Sequence, residues 1–420
     1  MIKISVIMPS LNVKDYIERA LISVCNQTLN DIEIICVDAE SNDGTWSIIN
    51  KFSEKDKRIT VIKTPIRSYG YQVNLGLKVA RGEYVAILET DDYVETDMYN
   101  YLYLVAKKYD CDYVKANYRT YWSLDNGEIV HNKRENLTEN NLYNKLISPK
   151  EHPRLAYDDW YLWSGIYRKK FIEENNISLN ETKGAAYQDI GFMVQVLDFA
   201  QRGIYVDKYF YNYCIDRTMS STNTGKSWEY CYSEYSSLIN KRRCVNQLLY
   251  IRMCKSYMCC VSENVSYKGK DLDNINEKIQ WFREQIKIAN ALHLLTKDLF
   301  FFDEWKNLIQ SINEKNLTDK NQDLLNEIKN NEIVIFGCGA LGHKLTAFLF
   351  DNNIEINCYI DNNADLWGKK SQGIVIKAPE TVKEMPTDVK LIVANVFHYE
   401  DMRKQLMEYG INDKDIYKFE

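Results

Sequence analysis

The sequence YVAILETDD, residues 84–92, runs from a set of apolar residues directly into a cluster of carboxylates. A buried strand that ends in this way places Glu89, Asp91 and Asp92 at the rim of a sheet. Open α/β sheets bind ligands at the carboxyl ends of their strands. Carboxylate oxygens at that position suit a divalent cation that carries phosphate groups. A solvated turn after a strand is the competing interpretation for such a cluster taken alone.

Two earlier apolar strands also run into polar turns. The first, VIMPSLN at residues 6–12, brings Pro9, Ser10 and Asn12 to its end, and the second, IICVDAESNDGT at residues 34–45, brings Asp38. These strand ends together favour one ligand crevice over separate solvated turns. The same region alternates strands with helices, which predicts a mostly parallel, doubly covered sheet in an α/β fold. The predicted strands are Ile4–Met8, Ile32–Val37, Thr60–Lys63, Tyr84–Leu88 and Asp112–Ala116, and the predicted helices are Val13–Asn26 and Thr45–Ser53.

Composition restricts the class of protein. The chain has 420 residues, more than one hydrophobic core usually holds, and its 45% hydrophobic and 27% charged residues are typical of globular domains. A net charge of −6 argues against a broad nucleic-acid surface. The 11 cysteines contain no CxxC pair, which favours reduced thiols. With neither a signal peptide nor a membrane-spanning apolar run, we expect a cytoplasmic protein with at most peripheral contact with the inner face of the membrane.

A change of pattern divides the rest of the chain. Apolar residues recur at helical spacing from about residue 226 to 330, which predicts a helical middle segment. A strand then feeds the turn GCGALG at residues 337–342, and Asp361 follows the next strand. The predicted domains are therefore 1–225, 226–330 and 331–420.

The turn at residues 337–342 has the GxGxxG form of dinucleotide-binding sites. Gly337, Gly339 and Gly342 would admit a phosphate backbone at the start of a helix, and Asp361 would accept a ribose hydroxyl. Two interpretations stay open: a second nucleotide site for NAD or a sugar nucleotide, or a degenerate unit for packing or assembly.

The first half of the chain resembles the family 2 glycosyltransferases, which have the nucleotide-sugar-binding GT-A fold. Residues 37–45 read VDAESNDGT where the family has VDDGSTDGT, and residues 89–91 read ETD where the family has Asp-x-Asp. The stretches ARGEY at 80–84, WSGIYR at 163–168 and YQDIGF at 187–192 extend the resemblance. The C-terminal segment resembles the small Rossmann-like domain appended to some surface-glycan glycosyltransferases.

The resemblance implies roles for the strand ends. Asp38 would accept a hydrogen bond from a base, usually uracil, and Asp91 would bind Mn²⁺ or Mg²⁺. Asp92 would assist the metal or cap the following helix, two alternatives that stay open. Ala39 and Glu40 depart from the family pattern and alter the loop around the nucleotide, and Glu89 replaces the Asp that contacts ribose in the family. The residues implied for the nucleotide sugar are Pro9, Ser10, Asn12, Asp38, Glu89, Thr90 and Asp91.

The resemblance also implies an acceptor side. Asp189 matches the acid that acts as general base, with an N-cap as its structural alternative. Trp163 and Tyr167 would stack on the acceptor sugar, or alternatively pack in the core. A mobile lid at residues 213–221 would place Arg217 over the donor.

These expectations combine into an inverting, metal-dependent transfer of a sugar from a nucleoside diphosphate, most simply UDP, to a hydroxyl of a bacterial cell-surface glycan or glycoconjugate. One alternative is a nucleotidyltransferase, although residues 9–12 offer no Gly-rich phosphate loop. Another is a non-catalytic nucleotide-binding scaffold of a glycan-assembly complex. Assembly into a homo-oligomer is left open by the sequence.

Overall fold

The computed structural model describes residues 1–215, 227–241, 243–262, 272–313, 320–329, 331–386, 388–395 and 398–419. Arg217 and most of the predicted lid lie outside these residues. The described chain forms a large sheet with flanking helices, a helical segment, and a smaller sheet near the C-terminus.

The first region alternates strands and helices as its apolar pattern predicts. Each predicted strand is present, although Asp112–Ala116 is the start of a longer one. The elements are β1 Ile4–Ser10, α1 Lys14–Cys25, β2 Ile32–Asp38, α2 Thr45–Lys55, β3 Ile59–Lys63, α3 Tyr69–Val79, β4 Tyr84–Ile87, β5 Tyr93–Val94, α4 Met98–Tyr109, β6 Tyr113–Ser123, β7 Ile129–Arg134, α5 Leu155–Asp158, β8 Gly165–Arg168, α6 Lys169–Glu174, α7 Gln188–Phe199 and β9 Gly203–Cys214.

The first sheet has the strand order β3-β2-β1-β4-β8-β6-β9-β5, with β7 paired to β6. Strands β3, β2, β1 and β4 are parallel, and β8 runs antiparallel to β4. Every residue of β1, β2 and β4 is buried, because helices cover both faces of parallel sheets. Since Ser10 pairs with Asp38 in register, the carboxyl ends of these strands meet at one edge.

Helices follow the first sheet and share its core. They are α8 Ser227–Asn240, α9 Gln247–Ser262, α10 Leu272–Ala291, α11 Phe302–Asn313 and α12 Lys320–Ile328. One hydrophobic cluster joins Ile87 of β4 and Phe192 of α7 to Leu249, Phe282 and Leu308 of the later helices. Residues 190–198 of α7 are all buried, because α7 lies between the sheet and this helical layer. The domain boundary at residues 225 and 226 stays a prediction.

The second sheet begins with the strand that precedes the glycine-rich turn. Its elements are β10 Ile333–Phe336, α13 Ala340–Asp351, β11 Cys358–Ile360, β12 Lys370–Ser371, β13 Ile374–Lys377, β14 Lys390–Val393, α14 Tyr399–Glu408 and β15 Ile416–Lys418. The strand order is β12-β13-β11-β10-β14-β15, parallel apart from the β12–β13 pair. A C-terminal α/β unit is therefore present, and its assignment as Rossmann-like stays a prediction.

A helix that crosses a bilayer needs about 20 predominantly apolar residues. Within the part of the chain that the structure describes, none of the helices is long and apolar enough to cross a membrane.

Candidate functional site

The ends of β1 and β2 are joined by hydrogen bonds around Asp38. The hydroxyl of Ser10 donates to Asp38 at 2.9 Å, and the Ser41 amide and hydroxyl donate to it at 2.9 and 2.6 Å. The amide of Asn12 donates to the Ser41 hydroxyl at 2.9 Å. Asp38 has no solvent exposure, so its carboxylate organises this turn. Its contact with a nucleobase stays a prediction.

Two side chains tie these strand ends to neighbouring elements. Gln72 of α3 donates to the Ser10 carbonyl at 2.9 Å and to the Val37 carbonyl at 2.6 Å. The Thr90 hydroxyl, just after β4, donates to the Pro9 carbonyl at 2.9 Å. The structure therefore brings the predicted residues on β1, β2 and β4 to a single fixed edge. Gln72 carries no sequence signal for this role, because its partners lie far away in the chain.

Asp92 is fully buried and faces β9. Its two carboxylate oxygens accept from the Tyr211 hydroxyl at 2.8 Å and from the Cys214 amide at 2.7 Å. Burial, and then the charge of Asp91, raises the pKa of Asp92 well above its usual value. The alternative that Asp92 caps the following helix is wrong, because the carboxylate binds a strand. Its part in holding a metal stays a prediction.

Asp91 and Glu89 are the more accessible acids of this cluster. Both are partly exposed, and the Asp91 carbonyl is held by the Tyr121 hydroxyl at 2.8 Å. The Tyr69 hydroxyl, from the first turn of α3, donates to the Glu89 carboxylate. These contacts fix the backbone and one carboxylate at the end of β4.

The segment that precedes α7 and Asp189 is bound to the start of α3 by backbone hydrogen bonds. The Tyr69 amide donates to the Gly184 carbonyl at 2.9 Å, and the Gly184 amide donates to the Arg67 carbonyl at 2.9 Å. Tyr69 thus touches both the Glu89 carboxylate and the approach to Asp189. The pKa of Tyr69 is raised well above its usual value by burial, then by the charge of Glu89, and further by that of Asp189.

The surroundings of Asp189 favour a carboxyl that titrates near neutrality. Tyr187 occupies the N-cap of α7, so Asp189 lies within the first turn and the N-cap alternative is wrong. Burial raises the pKa of Asp189 to about 6, while the charges of Arg252 and Lys115 oppose this shift. A carboxyl with such a pKa suits proton transfer at physiological pH.

Two buried cations near Asp189 were not predicted from the sequence. Lys115 of β6 is fully buried and pairs with Asp159 at 2.7 Å. Arg252 of α9 is 4% exposed, and its guanidinium lies 4.0 Å from the ring centre of Trp160. A lone arginine in an amphipathic helix gives no sequence signal of a buried role, since its position depends on how α9 packs.

The prediction that Trp163 and Tyr167 contact the acceptor is wrong in this structure. Trp163 is 5% exposed and stacks between Tyr211 and Tyr213, at ring-centre distances of 4.2 and 5.4 Å. Tyr167 is fully buried, and its hydroxyl donates to the Leu162 carbonyl at 2.7 Å. Both rings therefore pack in the core, the alternative that the sequence had left open.

The glycine-rich turn after β10 is filled largely by its own chain. The carboxylate of Asp361 accepts from the Cys338 amide at 3.1 Å and from the Asn363 amide at 2.9 Å. A Cβ on Gly342 would lie 2.1 Å from the Gly337 carbonyl oxygen, so Gly342 permits close packing of the turn against α13. These contacts favour the packing interpretation, and a ligand at this turn stays a prediction.

A metal ion at the first edge would need ligands beyond the protein. In the described ranges, no group of three or more His, Cys, Asp or Glu side chains is placed to hold a metal ion. Mg²⁺ in nucleotide sites is commonly bound by one or two carboxylates together with phosphate oxygens. Asp91 at the open edge fits that donor set, with the diphosphate supplying the remaining ligands.

Comparisons with known proteins identify two regions of the chain. Residues 5–173 match the family described as Glycosyl transferase family 2, and residues 329–417 match the family described as C2185-like, N-terminal. The first region includes the strands of the first sheet except β9. It ends before Asp189, which the comparison with this family therefore does not cover.

Curated relatives support the same class. The uncharacterized glycosyltransferase EpsJ of Bacillus subtilis is 30% identical over 50% of this chain and 60% of its own length. The glycosyltransferase GlyA of Streptococcus pneumoniae is 26% identical over 54% of this chain and 32% of its own length. The cholesterol galactosyltransferase of Borreliella burgdorferi is 28% identical over 50% of this chain and 59% of its own length. The matches thus cover less than two thirds of these relatives.

Solved structures confirm the fold. Residues 1–349 of TarS from S. aureus superpose with a TM-score of 0.54 and 19% identity, over 74% of this chain and 90% of that one. The same protein in complex with UDP-GlcNAc gives a TM-score of 0.55 at 19% identity, over 74% and 91%. At this identity the likeness establishes the α/β GT-A architecture of the first sheet.

Proposed function

We propose that this protein transfers a sugar from a nucleoside diphosphate, UDP in the first instance, to a hydroxyl group of a glycan acceptor. The observation that carries the proposal is the group of Asp38, Glu89 and Asp91 at the ends of β2 and β4, together with Tyr69, which interacts electrostatically with both Glu89 and Asp189. Tyr69 supplies the link, because it binds the Glu89 carboxylate and the segment that leads to Asp189. The family matched by residues 5–173 and the TarS complex with UDP-GlcNAc support this assignment.

The donor would lie over the ends of β1, β2 and β4. Pro9, Ser10 and Asn12 would contact the nucleoside, with Asp38 keeping their turn in place. Asp91 would hold Mn²⁺ or Mg²⁺, which supplies positive charge to the diphosphate as it leaves. Glu89 lies two residues before Asp91, and its carboxylate is oriented by the Tyr69 hydroxyl.

The acceptor would approach from the side of Asp189. Its carboxylate would take the proton from the attacking hydroxyl, while the diphosphate departs from the opposite face of the sugar. Such direct displacement inverts the configuration of the anomeric carbon. The pKa of about 6 keeps most of the Asp189 carboxyl deprotonated at neutral pH, yet leaves it basic enough to accept a proton.

The proposed setting is the cytoplasmic face of the membrane, in the synthesis of a cell-surface glycan or glycoconjugate. It rests on the resemblance of the motifs to surface-glycan glycosyltransferases. The sugar and the acceptor would be selected by the shape of the pocket.

The first experiment is a panel of nucleotide sugars screened by thermal shift with Mn²⁺, followed by a donor-hydrolysis assay with the best ligand. Stabilisation increases with ligand concentration over dissociation constant, so the panel ranks the donors. We expect a UDP-sugar to give the largest shift and slow hydrolysis that EDTA stops. Binding without hydrolysis or transfer would favour the scaffold alternative, and absence of nucleotide binding would refute the proposal.

A further inference from the structure

The β6–β7 hairpin, residues 113–134, is part of the first sheet and also packs against the second. At its base Tyr118 packs in the hydrophobic cluster of the first sheet. At its tip Trp122, Leu124 and Val130 pack in the cluster of the second sheet, with exposures of 1%, 3% and 9%. One strand therefore joins the hydrophobic interior of the first sheet to that of the C-terminal sheet.

Polar contacts fix the tip of the hairpin to the C-terminal sheet. The Gly373 amide donates to the Asp125 carboxylate at 2.9 Å, and the Asp125 amide donates to the Lys370 carbonyl at 3.0 Å. Lys369 pairs with Glu128 at 2.7 Å. These bonds come from the β12–β13 hairpin and from Lys369, the residue before it, so the contact involves a defined part of the second sheet.

The opposite face of the same strand reaches the donor edge. Successive side chains of a strand point to opposite faces, so Tyr121 faces away from Trp122 and the C-terminal sheet. The Tyr121 hydroxyl donates to the Asp91 carbonyl at 2.8 Å and accepts from Arg19, whose guanidinium lies 4.5 Å from the Tyr121 ring centre. Tyr121 is 1% exposed, so this contact is shielded from water.

A second contact runs beside the first. The Tyr93 hydroxyl is hydrogen-bonded to Nε2 of His131 at 2.7 Å, which joins β7 to the strand that begins just after Asp92. The hairpin thus contacts residues 91–93 from both of its strands, the carbonyl of Asp91 from β6 and the side chain of Tyr93 from β7. Movement of the hairpin would therefore move the acids that close β4.

We propose that the C-terminal sheet positions Asp91 through the β6–β7 hairpin, with Tyr121 as the positioning residue. The inference rests on the proposed function, because it takes Asp91 as the donor-side carboxylate. The C-terminal unit would then support donor binding by its docking, without a ligand of its own in the glycine-rich turn.

The test measures the affinity of the full-length chain for UDP in Mn²⁺ by titration calorimetry, which needs no turnover. Tyr121→Phe removes one buried hydrogen bond to Asp91, and we expect UDP to bind roughly three- to tenfold more weakly. Asp125→Ala frees the tip of the hairpin from a distance, with an expected loss of roughly two- to fivefold. Combined in one chain, the two changes should weaken binding by less than the product of the single effects, because both act through the hairpin.

Two variants provide matched controls. Tyr99→Phe alters another tyrosine of the first sheet's core that is 1% exposed, and Asp31→Ala removes a surface carboxylate paired with Lys3 at 3.0 Å. Both should bind UDP as the wild type does. The transfer assay should show the donor KM raised in Tyr121→Phe with kcat nearly unchanged.

The outcomes separate the two proposals. Wild-type affinity in both Tyr121→Phe and Asp125→Ala would overturn the positioning role and leave the proposed function intact. A loss confined to Tyr121→Phe would overturn the part assigned to the C-terminal sheet. Failure of the wild-type chain to bind UDP in Mn²⁺ would refute the donor site, and the positioning role with it.

Discussion

Asp38 ends β2 and Asp361 directly follows β11, the second strand of each sheet in chain order, and each lies beside the turn that follows the first strand. Asp38 accepts from Ser10 and Ser41, and Asp361 accepts from Cys338 and Asn363, so both carboxylates hold their own turns together. The two sheets differ at the strand that pairs with the other side of the first strand, β4 in the first sheet and β14 in the second. Leu88 and then Glu89-Thr90-Asp91-Asp92 follow β4, whereas Ala394 and Asn395 follow β14.

The two sheets distinguish an acid that stabilises a turn from the acids that are candidates for the reaction. An acid after the second strand is shared by the two sheets and stabilises a turn in each. The acids after β4 have no counterpart among the described residues that follow β14. An acid that stabilises its turn is therefore common to both sheets, whereas the carboxylates proposed for the chemistry are particular to the first.

The largest effect is expected for Asp189→Asn, which tests whether the first edge is reactive. Removing a general base typically costs 10²–10⁴ in rate, so transfer should fall by roughly that factor while UDP affinity stays near normal. Asp198→Asn in the same helix is the control, because an asparagine there can still pair with Asn246. Parallel loss of UDP binding in Asp189→Asn would count against the base assignment.

Asp91→Asn tests the cation at the same edge. The change keeps the size of the side chain but removes the charge, and we expect transfer to drop on the order of 10²-fold with a weaker response to added Mn²⁺. Asp97→Asn, at an exposed position before α4, should behave as the wild type. Activity of the wild type that survives EDTA would dismiss the metal role of Asp91.

The pH dependence examines the electrostatics of Asp189. Because the base must be deprotonated, the rate should fall as the pH drops through about 6. Arg252→Met removes a positive charge that lowers the pKa of Asp189, so this acidic limb should move to higher pH and the rate at pH 6 should fall roughly three- to tenfold.

The controls for this profile lie on the same helix. Arg252→Lys should restore the wild-type limb in part, and Lys255→Met, which also removes a cation beside Trp160, should leave it in place. An unshifted limb in Arg252→Met would show that Arg252 does not act on the base. The titratable groups that interact electrostatically with Asp189 are Arg252, Lys115, Tyr69, Tyr167 and Glu234.

The smallest effect on catalysis is expected in the second sheet. Gly342→Ala would place a Cβ 2.1 Å from the Gly337 carbonyl, and we expect a loss of about 1–3 kcal/mol in the free energy of unfolding with UDP affinity unchanged. Gly339→Ala is the control, since its Cβ would meet its nearest neighbour at 3.8 Å. Urea unfolding measures both. Equal stability of the two variants would contradict the packing role of Gly342.

The strands of the donor edge were predictable from the sequence. β1, β2 and β4 are buried on both faces, so their residues form continuous apolar runs that end where the polar turns begin. The predicted and observed ends differ by one or two residues. Their convergence followed from the rule that parallel strands present their carboxyl ends at one edge.

The contacts that refine the site were not predictable. Tyr69, Tyr121 and Arg252 act on residues far from them in the chain, and nothing in their local sequence distinguishes them from other aromatic or charged residues. The opposite error occurred at Trp163 and Tyr167, whose position in the region that binds the acceptor in the resembling family suggested a ligand surface. Which way an aromatic ring faces on a short strand depends on packing that the local pattern does not contain.

The burial of α7 on every side has a practical consequence for anyone shortening this gene. A recombinant fragment that stops at residue 225 would keep Asp189 but lack the helices that cover the outer side of α7. The apolar residues on that side would then be exposed to solvent. Large newly exposed apolar surfaces promote aggregation, so such a fragment is expected to precipitate rather than to report a weakened enzyme. Deletion studies should therefore retain α8 to α11.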